Sequence, residues 1–170
     1  MHFFQSIFLA TVLTFGLQGC FKPLYGSAEF GGLNVQQGLA GVSIDVQGER
    51  LAHYLRNELE YGLRGGNPSV SPTTHRLVVV AKQTLSTAIV DRVAGVAESA
   101  TLVIDAKYSL YEKNKTVAAI ESEARVLVTY DRSQQRFASV RAARDAEIQG
   151  TKQLAEQIKT RIAAYLSNNR

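Results

Sequence analysis

Between residues 100 and 130 the chain alternates apolar and polar side chains almost without a break. One polar turn, Glu112-Lys113-Asn114-Lys115, interrupts the run. A period of two sends successive side chains to opposite faces of an extended backbone, so such a stretch buries its apolar half only as a one-sided β-sheet. Ala100, Leu102, Ile104, Ala106, Tyr108 and Leu110 share one face of the first strand, and Thr101, Asp105, Lys107 and Ser109 share the other. From Val117 to Tyr130 the pattern sets Ala118, Ile120, Ala124, Val126 and Val128 opposite Glu121, Glu123 and Arg125. Upstream, His75 to Val90 is dense in β-branched residues, with Leu77, Val79, Ala81 and Leu85 on one face and Asp91 to Gly95 as the turn that follows. Three long strands joined by short turns predict an antiparallel meander with one apolar face and one of mixed charge.

That apolar face needs a cover, and the flanks supply it. Leu51, Leu55, Leu59 and Leu63 recur every four residues, one stripe along a helix of about four turns that ends at Gly65-Gly66-Asn67-Pro68. A short alternating strand, Val42 to Val46, precedes it. The last third returns to helical period: Val140, Ile148, Leu154, Ile158, Ile162 and Leu166 fall near one stripe between about Ala138 and Ser167, with Gly150 as its weak point. The expected fold is therefore α+β, a two-layer sandwich of order β-α-β-β-β-α, its mainly antiparallel sheet carrying two helices on one face.

The N-terminus says where such a domain lives. Phe3 to Leu17 is apolar and shorter than the roughly 20 residues a membrane-spanning helix needs, which reads as a signal-peptide core. It closes on Leu17-Gln18-Gly19-Cys20, which is similar to the lipobox of bacterial lipoproteins. That resemblance implies cleavage after residue 19 and acylation of Cys20. Two features depart from it: no Lys or Arg precedes the apolar run, and Gln18 is bulkier than the small residue usual there. Cys20 is the one cysteine in the sequence, so an exported chain of this kind has no internal disulfide and relies on a packed core. Phe21 stands where lipoproteins retained in the inner membrane tend to carry Asp, which points to the outer membrane. The expected organisation is a removed signal peptide at 1–19, a lipid-anchored flexible tether at 20–41, rich in glycine from Ser27 onward, and a single α/β domain at 42–170.

The net charge of +4 resides wholly in the part after residue 19. It suits anionic partners such as lipid phosphates, but without a Lys/Arg run or an aromatic-basic module it does not indicate nucleic acid. Groups for catalysis are sparse. His53 lies on a helix between leucines and reads as a surface residue, and His75 precedes a strand without ligand spacing. Two such histidines without a second cysteine do not make a zinc site. Glu121 and Glu123 share a strand face two residues apart, a pair that reads as solvated surface rather than acid-base machinery. The expectation is no enzyme, no metal and no cofactor.

The order of these motifs carries a resemblance. The lipobox cysteine is followed by Phe21-Lys22-Pro23-Leu24-Tyr25-Gly26. A Val-x-Ile strand then leads to the four-spaced leucine helix with its Gly-Gly exit. Phe137-Ala138 enters a helix bearing Arg144-Asp145-Ala146 and Leu154-Ala155-Glu156-Gln157-Ile158. Together they resemble the alphaproteobacterial branch of the LPS-assembly lipoprotein family LptE, in which a glycine often separates the cysteine from the phenylalanine, a glycine missing here. The resemblance implies an outer-membrane lipoprotein, facing the periplasm, whose domain sits inside the β-barrel protein LptD and assists insertion of lipopolysaccharide into the outer leaflet. Arg92, Lys107, Lys113 and Lys115, near strand tips and on the polar face, are then the candidate contacts for lipopolysaccharide phosphates, because Arg and Lys make charge-assisted hydrogen bonds to phosphate. The alternative is a non-catalytic auxiliary lipoprotein of a lipid-transporting ABC system, with the same anchor and fold class.

Overall fold

The computed structural model describes residues 35–65, 72–90, 97–132 and 135–168, and at 87–90 and 97–98 the backbone alone. In chain order the elements are α1 (Val35–Ala40), β1 (Val42–Gln47), α2 (Arg50–Arg64), β2 (His75–Val90), β3 (Ala97–Glu112), β4 (Ala118–Asp131) and α3 (Arg136–Asn168). The strands form one sheet in the order β1-β2-β3-β4. β2, β3 and β4 are the expected antiparallel meander, in register from Leu77↔Leu110 and Leu110↔Ile120 through to Leu85↔Leu102 and Leu102↔Val128. β1 pairs parallel to β2, Val42 opposite His75 and Gln47 opposite Val80. A parallel pair needs a crossover, and α2 provides it.

The alternation places the core. Leu77, Val79, Ile104 and Leu110 are fully buried, with Ala100, Ala106 and Tyr108 nearly so. α2 covers the β1 side of this face with Leu51, Leu55, Leu59 and Leu63, and α3 covers the β4 side with Leu154, Ile158 and Ile162. Gly65 ends α2 in the left-handed region at φ 63°, donating its N–H to the Tyr61 carbonyl at 2.8 Å, as a glycine C-cap should. The fold is thus the two-layer α+β sandwich expected from the pattern.

Three details depart from the sequence reading. Residues 35–40, expected within an extended tether, form α1 instead. Val35 and Leu39, one helical turn apart, are both buried against the core, and that contact outweighs the low helix preference of the surrounding glycines. The remainder of the expected tether, 20–34, lies outside the described residues. In α3, Val140 and Ile148 are 62% and 41% exposed instead of lining the stripe. The first half of α3 turns small residues to the sheet, with Ala146 and Gly150 buried and Ala142 and Ala143 partly so. Leu85, on the inward face by register, is 53% exposed.

Gly150 proves to be a point of close approach. A Cβ there would stand 2.6 Å from Ile104 Cδ1 and 3.1 Å from Val128 Cγ2, so the missing side chain lets the helix settle onto the sheet. Alanine improves helix propensity by roughly 1 kcal/mol, but in this site overpacking dominates, with a net cost of about 1–3 kcal/mol. Urea unfolding of Gly150→Ala checks this, and trimming Ile104 to valine in the same chain should recover part of the loss through non-additivity.

Candidate functional site

The face of the sheet away from the helices is built from the polar half of each alternating strand, and its charges are matched across strands. Arg125 is ion-paired with Asp105 on β3, and Lys107 stands opposite Glu123 in register. Thr101 and Thr129 share a hydroxyl hydrogen bond of 3.0 Å. Lys107, Tyr108, Ser109, Glu121, Ser122 and Glu123 border a shallow groove of about 380 Å³ on this surface. The hydrogen bond to Asp105 and the field of that carboxylate raise Arg125 above its ordinary value. Leu127 is 62% exposed and Val80 40%, so apolar surface is mixed into the polar face.

A second polar feature lies where the chain enters the domain. Gly41, just after α1, accepts the Thr74 N–H at 2.9 Å, and Thr74 accepts the Lys113 N–H at 2.8 Å. Thr74, His75, Glu112, Lys113, Tyr165 and Leu166 line a cleft of about 410 Å³. Within it Glu112 receives Lys115 Nζ at 2.5 Å and the Tyr165 hydroxyl at 3.3 Å. Lys115 lowers the Glu112 carboxyl below the usual carboxylate range, chiefly by hydrogen bonding, and is itself raised by that contact. Burial pulls the His75 imidazole below its ordinary value against the opposing field of Glu112, so the ring is neutral at pH 7. The cationic character of this end is therefore that of its lysines.

Between the helices sits a buried carboxylate. The Glu147 side chain is only 4% exposed and accepts Arg50 Nη2 at 2.8 Å, with Arg144 Nη1 at 3.6 Å. Arg144 also donates to the Tyr54 hydroxyl and lies over the Tyr54 ring, 4.8 Å from its centroid. This cluster fastens α2 to α3, and its composition gave no sign of that in the sequence because its two halves, Arg50 with Tyr54 and Arg144 with Glu147, stand 90 or more residues apart.

The candidate contacts do not converge. Lys113 and Lys115 sit in the β3–β4 turn, both exposed. Lys107 lies five or more residues up β3, on the order of 17 Å from that turn. Arg92 and Cys20 fall outside the described residues. His53 is exposed, matching its reading as a surface residue. Among the described residues no group of three His, Cys, Asp or Glu is placed to hold a metal ion, and no helix is long and apolar enough to cross a membrane.

Residues 39–162 match the family model of LptE, lipopolysaccharide assembly. The chain belongs to the LptE family. The matched span runs from Leu39 in α1 to Ile162 in α3 and takes in the Val-x-Ile strand, the four-spaced leucine helix and the motifs of α3, while Cys20 and the 21–26 motif precede it in the sequence. The LptE-family fold recurs in solved lipoproteins of low sequence identity. A lipoprotein from Caulobacter crescentus is 22% identical, covering 80% of this chain and 97% of its own with a TM-score of 0.63. The rare lipoprotein B from Shewanella oneidensis is 15% identical, covering 75% and 96% with a TM-score of 0.57. A minor lipoprotein from Acinetobacter baumannii is 12% identical, covering 72% and 90% with a TM-score of 0.54. Among curated protein sequences none matches this LptE-family chain.

Proposed function

We propose that this LptE-family protein is anchored to the periplasmic side of the outer membrane through lipidated Cys20 and forms the lipopolysaccharide translocon with the β-barrel LptD. It assists lipopolysaccharide insertion into the outer leaflet without catalysing a reaction. The observation that carries this reading is the family match across both layers of the domain, from α1 through α3. The geometry suits it. Barrel interiors in the outer membrane are polar, and the helix-free face of the long sheet is polar with its charges matched across strands. The lipid holds the domain at the barrel mouth, so that association becomes effectively intramolecular.

Within this reading the phosphate contacts are the exposed cations Lys107, Lys113 and Lys115, together with Arg92. Because Lys107 stands apart from the turn pair, one phosphate does not bridge them, and each is expected to act singly. The anchor is tested by changing Cys20→Ala. The variant should be recovered folded but free of membranes, since the change lies outside the matched span 39–162. Mass spectrometry of the natural protein should find an acylated Cys20 at the mature N-terminus. An unmodified cysteine, or cleavage at another bond, refutes the anchor.

A further inference from the structure

Helix α3 overhangs α2. The two run parallel, with Arg50 at the start of α2 ion-paired to Glu147, and with Gly62 beside Lys159, where an added Cβ would lie 3.4 Å from Cδ. Residues 136–146 of α3 therefore extend about 16 Å past the first turn of α2. One side of this overhang meets the sheet through Ala142, Ala143 and Ala146, with Gly150 a turn further on. The other side has no cover among the described residues: Phe137 is 88% exposed, Val140 62% and Ile148 41%. Phe137 is the most exposed large apolar side chain among the described residues. Spacings of three, four, seven and eleven residues put Phe137, Val140, Arg141, Arg144 and Ile148 on one side of the helix, as a ridge.

The charge around this ridge is mainly positive. Between Asp131 and Ile148 stand four arginines, Arg132, Arg136, Arg141 and Arg144, against the exposed Asp131 and Asp145, since Glu147 is taken up by Arg50 and Arg144. Arg136 and Arg141 have no ion-pair partner among the described residues. The first turn of α3 holds no acid, so the positive end of the helix dipole adds to them. Apolar side chains flanked by arginines match the boundary of an anionic bilayer, where the ring and aliphatics enter the acyl edge and the guanidinium groups reach phosphate. A second copy of the chain would bring the same arginines.

The ridge also shares a side of α3 with the anchored end of the chain. Leu166 follows Ile148 by about five full turns and Phe137 by about eight, so the three lie along one line of the helix. α1 packs at Leu166, where a Cβ on Gly38 would stand 3.4 Å from Leu166 Cδ1. Residues 20–34, which join α1 to Cys20, span up to about 50 Å when extended. Leu166 and Phe137 are about 44 Å apart along the helix. A lipid on Cys20 can therefore sit in the same leaflet that the ridge touches.

We infer that the ridge formed by Phe137, Val140, Arg141 and Ile148 is a second membrane contact, seated on the anionic phospholipid headgroups of the leaflet that holds the acylated cysteine. The inference builds on the anchor proposed above and adds an orientation. α3 lies along the bilayer, and the helix-free face of the sheet, on the opposite side of the domain, stays turned away from the lipid and open to a protein partner. The contact does not have to be tight by itself. The acyl chains hold the ridge close to the surface, so a weak interfacial affinity is enough to fix how the domain lies.

The test uses two forms of the protein. In the lipidated full-length protein, in its own membranes, a photo-reactive benzoylphenylalanine replaces Phe137, and mass spectrometry of the linked peptide after irradiation should find phospholipid. A link to a partner polypeptide, to lipopolysaccharide, to a second copy or to residues 20–34 of the same chain, or no link at all, overturns the inference. The mature chain from residue 20, carrying Cys20→Ser, then reads surface affinity without acyl chains. It should bind vesicles of phosphatidylcholine with about one third phosphatidylglycerol roughly tenfold more tightly than phosphatidylcholine alone. Phe137→Ser should weaken that binding about tenfold. Arg136→Gln with Arg141→Gln should weaken it about twentyfold. All three positions are exposed, so thermal stability should not change. Equal binding to both vesicle types, or binding indifferent to these substitutions, overturns the inference. The anchor and the ridge fail separately. An acylated Cys20 together with an acyl-free chain that ignores the vesicles refutes the ridge and leaves the anchor standing. An unacylated Cys20 with vesicle binding intact does the reverse.

Discussion

Replacing Leu55 or Ile104 by alanine should each lower the unfolding free energy by about 2–5 kcal/mol, the range for removing a large aliphatic from a well-packed core. Both side chains are fully buried, Leu55 where α2 meets the sheet and Ile104 beneath Gly150 of α3. They therefore report on the two helix–sheet contacts separately. Thr101 lies on the opposite face of β3, where its loss removes one hydroxyl pair with Thr129. Thr101→Ala should cost only about 0.2–1 kcal/mol, the worth of a cross-strand pair. Denaturant midpoints at constant slope distinguish these cases. Equal losses for all three would mean that the helices do not sit on the face that carries Ile104.

An asymmetric loss is expected at the ion cluster between the helices. Removing the cations with Arg50→Ala and Arg144→Ala leaves Glu147, 4% exposed, without a counter-charge. Stranding a buried charge costs several kcal/mol, and with the gap partly open to water the low end applies, about 3 kcal/mol. Removing the anion is milder. Glu147→Gln leaves Arg50 and Arg144 at 62% and 39% exposure, able to find water, so the cost should be about 1 kcal/mol, that of an ordinary hydrogen bond. Adding Glu147→Leu to the double arginine variant should recover most of its loss, since the charge that needed a partner is gone. If instead the glutamine variant is the more damaged, Glu147 is held by contacts other than the two arginines.

The parts of the fold that were legible in the sequence are those fixed by a short-range period. The alternation from 100 to 130 assigned inward and outward faces correctly at Ala100, Leu102, Ile104, Ala106, Tyr108 and Leu110, all of them buried. The four-spaced leucines of α2 and its glycine exit were equally direct. What the pattern missed depends on which element lies above. Leu85 continues the inward face of β2, but α2 starts too low to reach it. Val140 and Ile148 extend the apolar stripe of α3, yet the close approach at Gly150 turns alanines to the sheet and leaves them exposed. α1 was hidden by the glycines around Val35 and Leu39, because its stability comes from burial against the core rather than from helix preference. The Glu147 cluster joins α2 to α3 across the core, and no local spacing announces it. For the site, the sequence named cations by type, but it did not reveal that Lys107 and the Lys113–Lys115 turn are separated along β3.

The central claim is that this domain works in lipopolysaccharide assembly bound to an outer-membrane barrel. The most direct measurement is affinity recovery of the lipidated protein from detergent-solubilised membranes, with mass spectrometry of what remains attached. A large outer-membrane β-barrel held in stable, near-equal amount is the expected result. Inner-membrane ABC-transporter components recovered in its place, with no barrel, would contradict it.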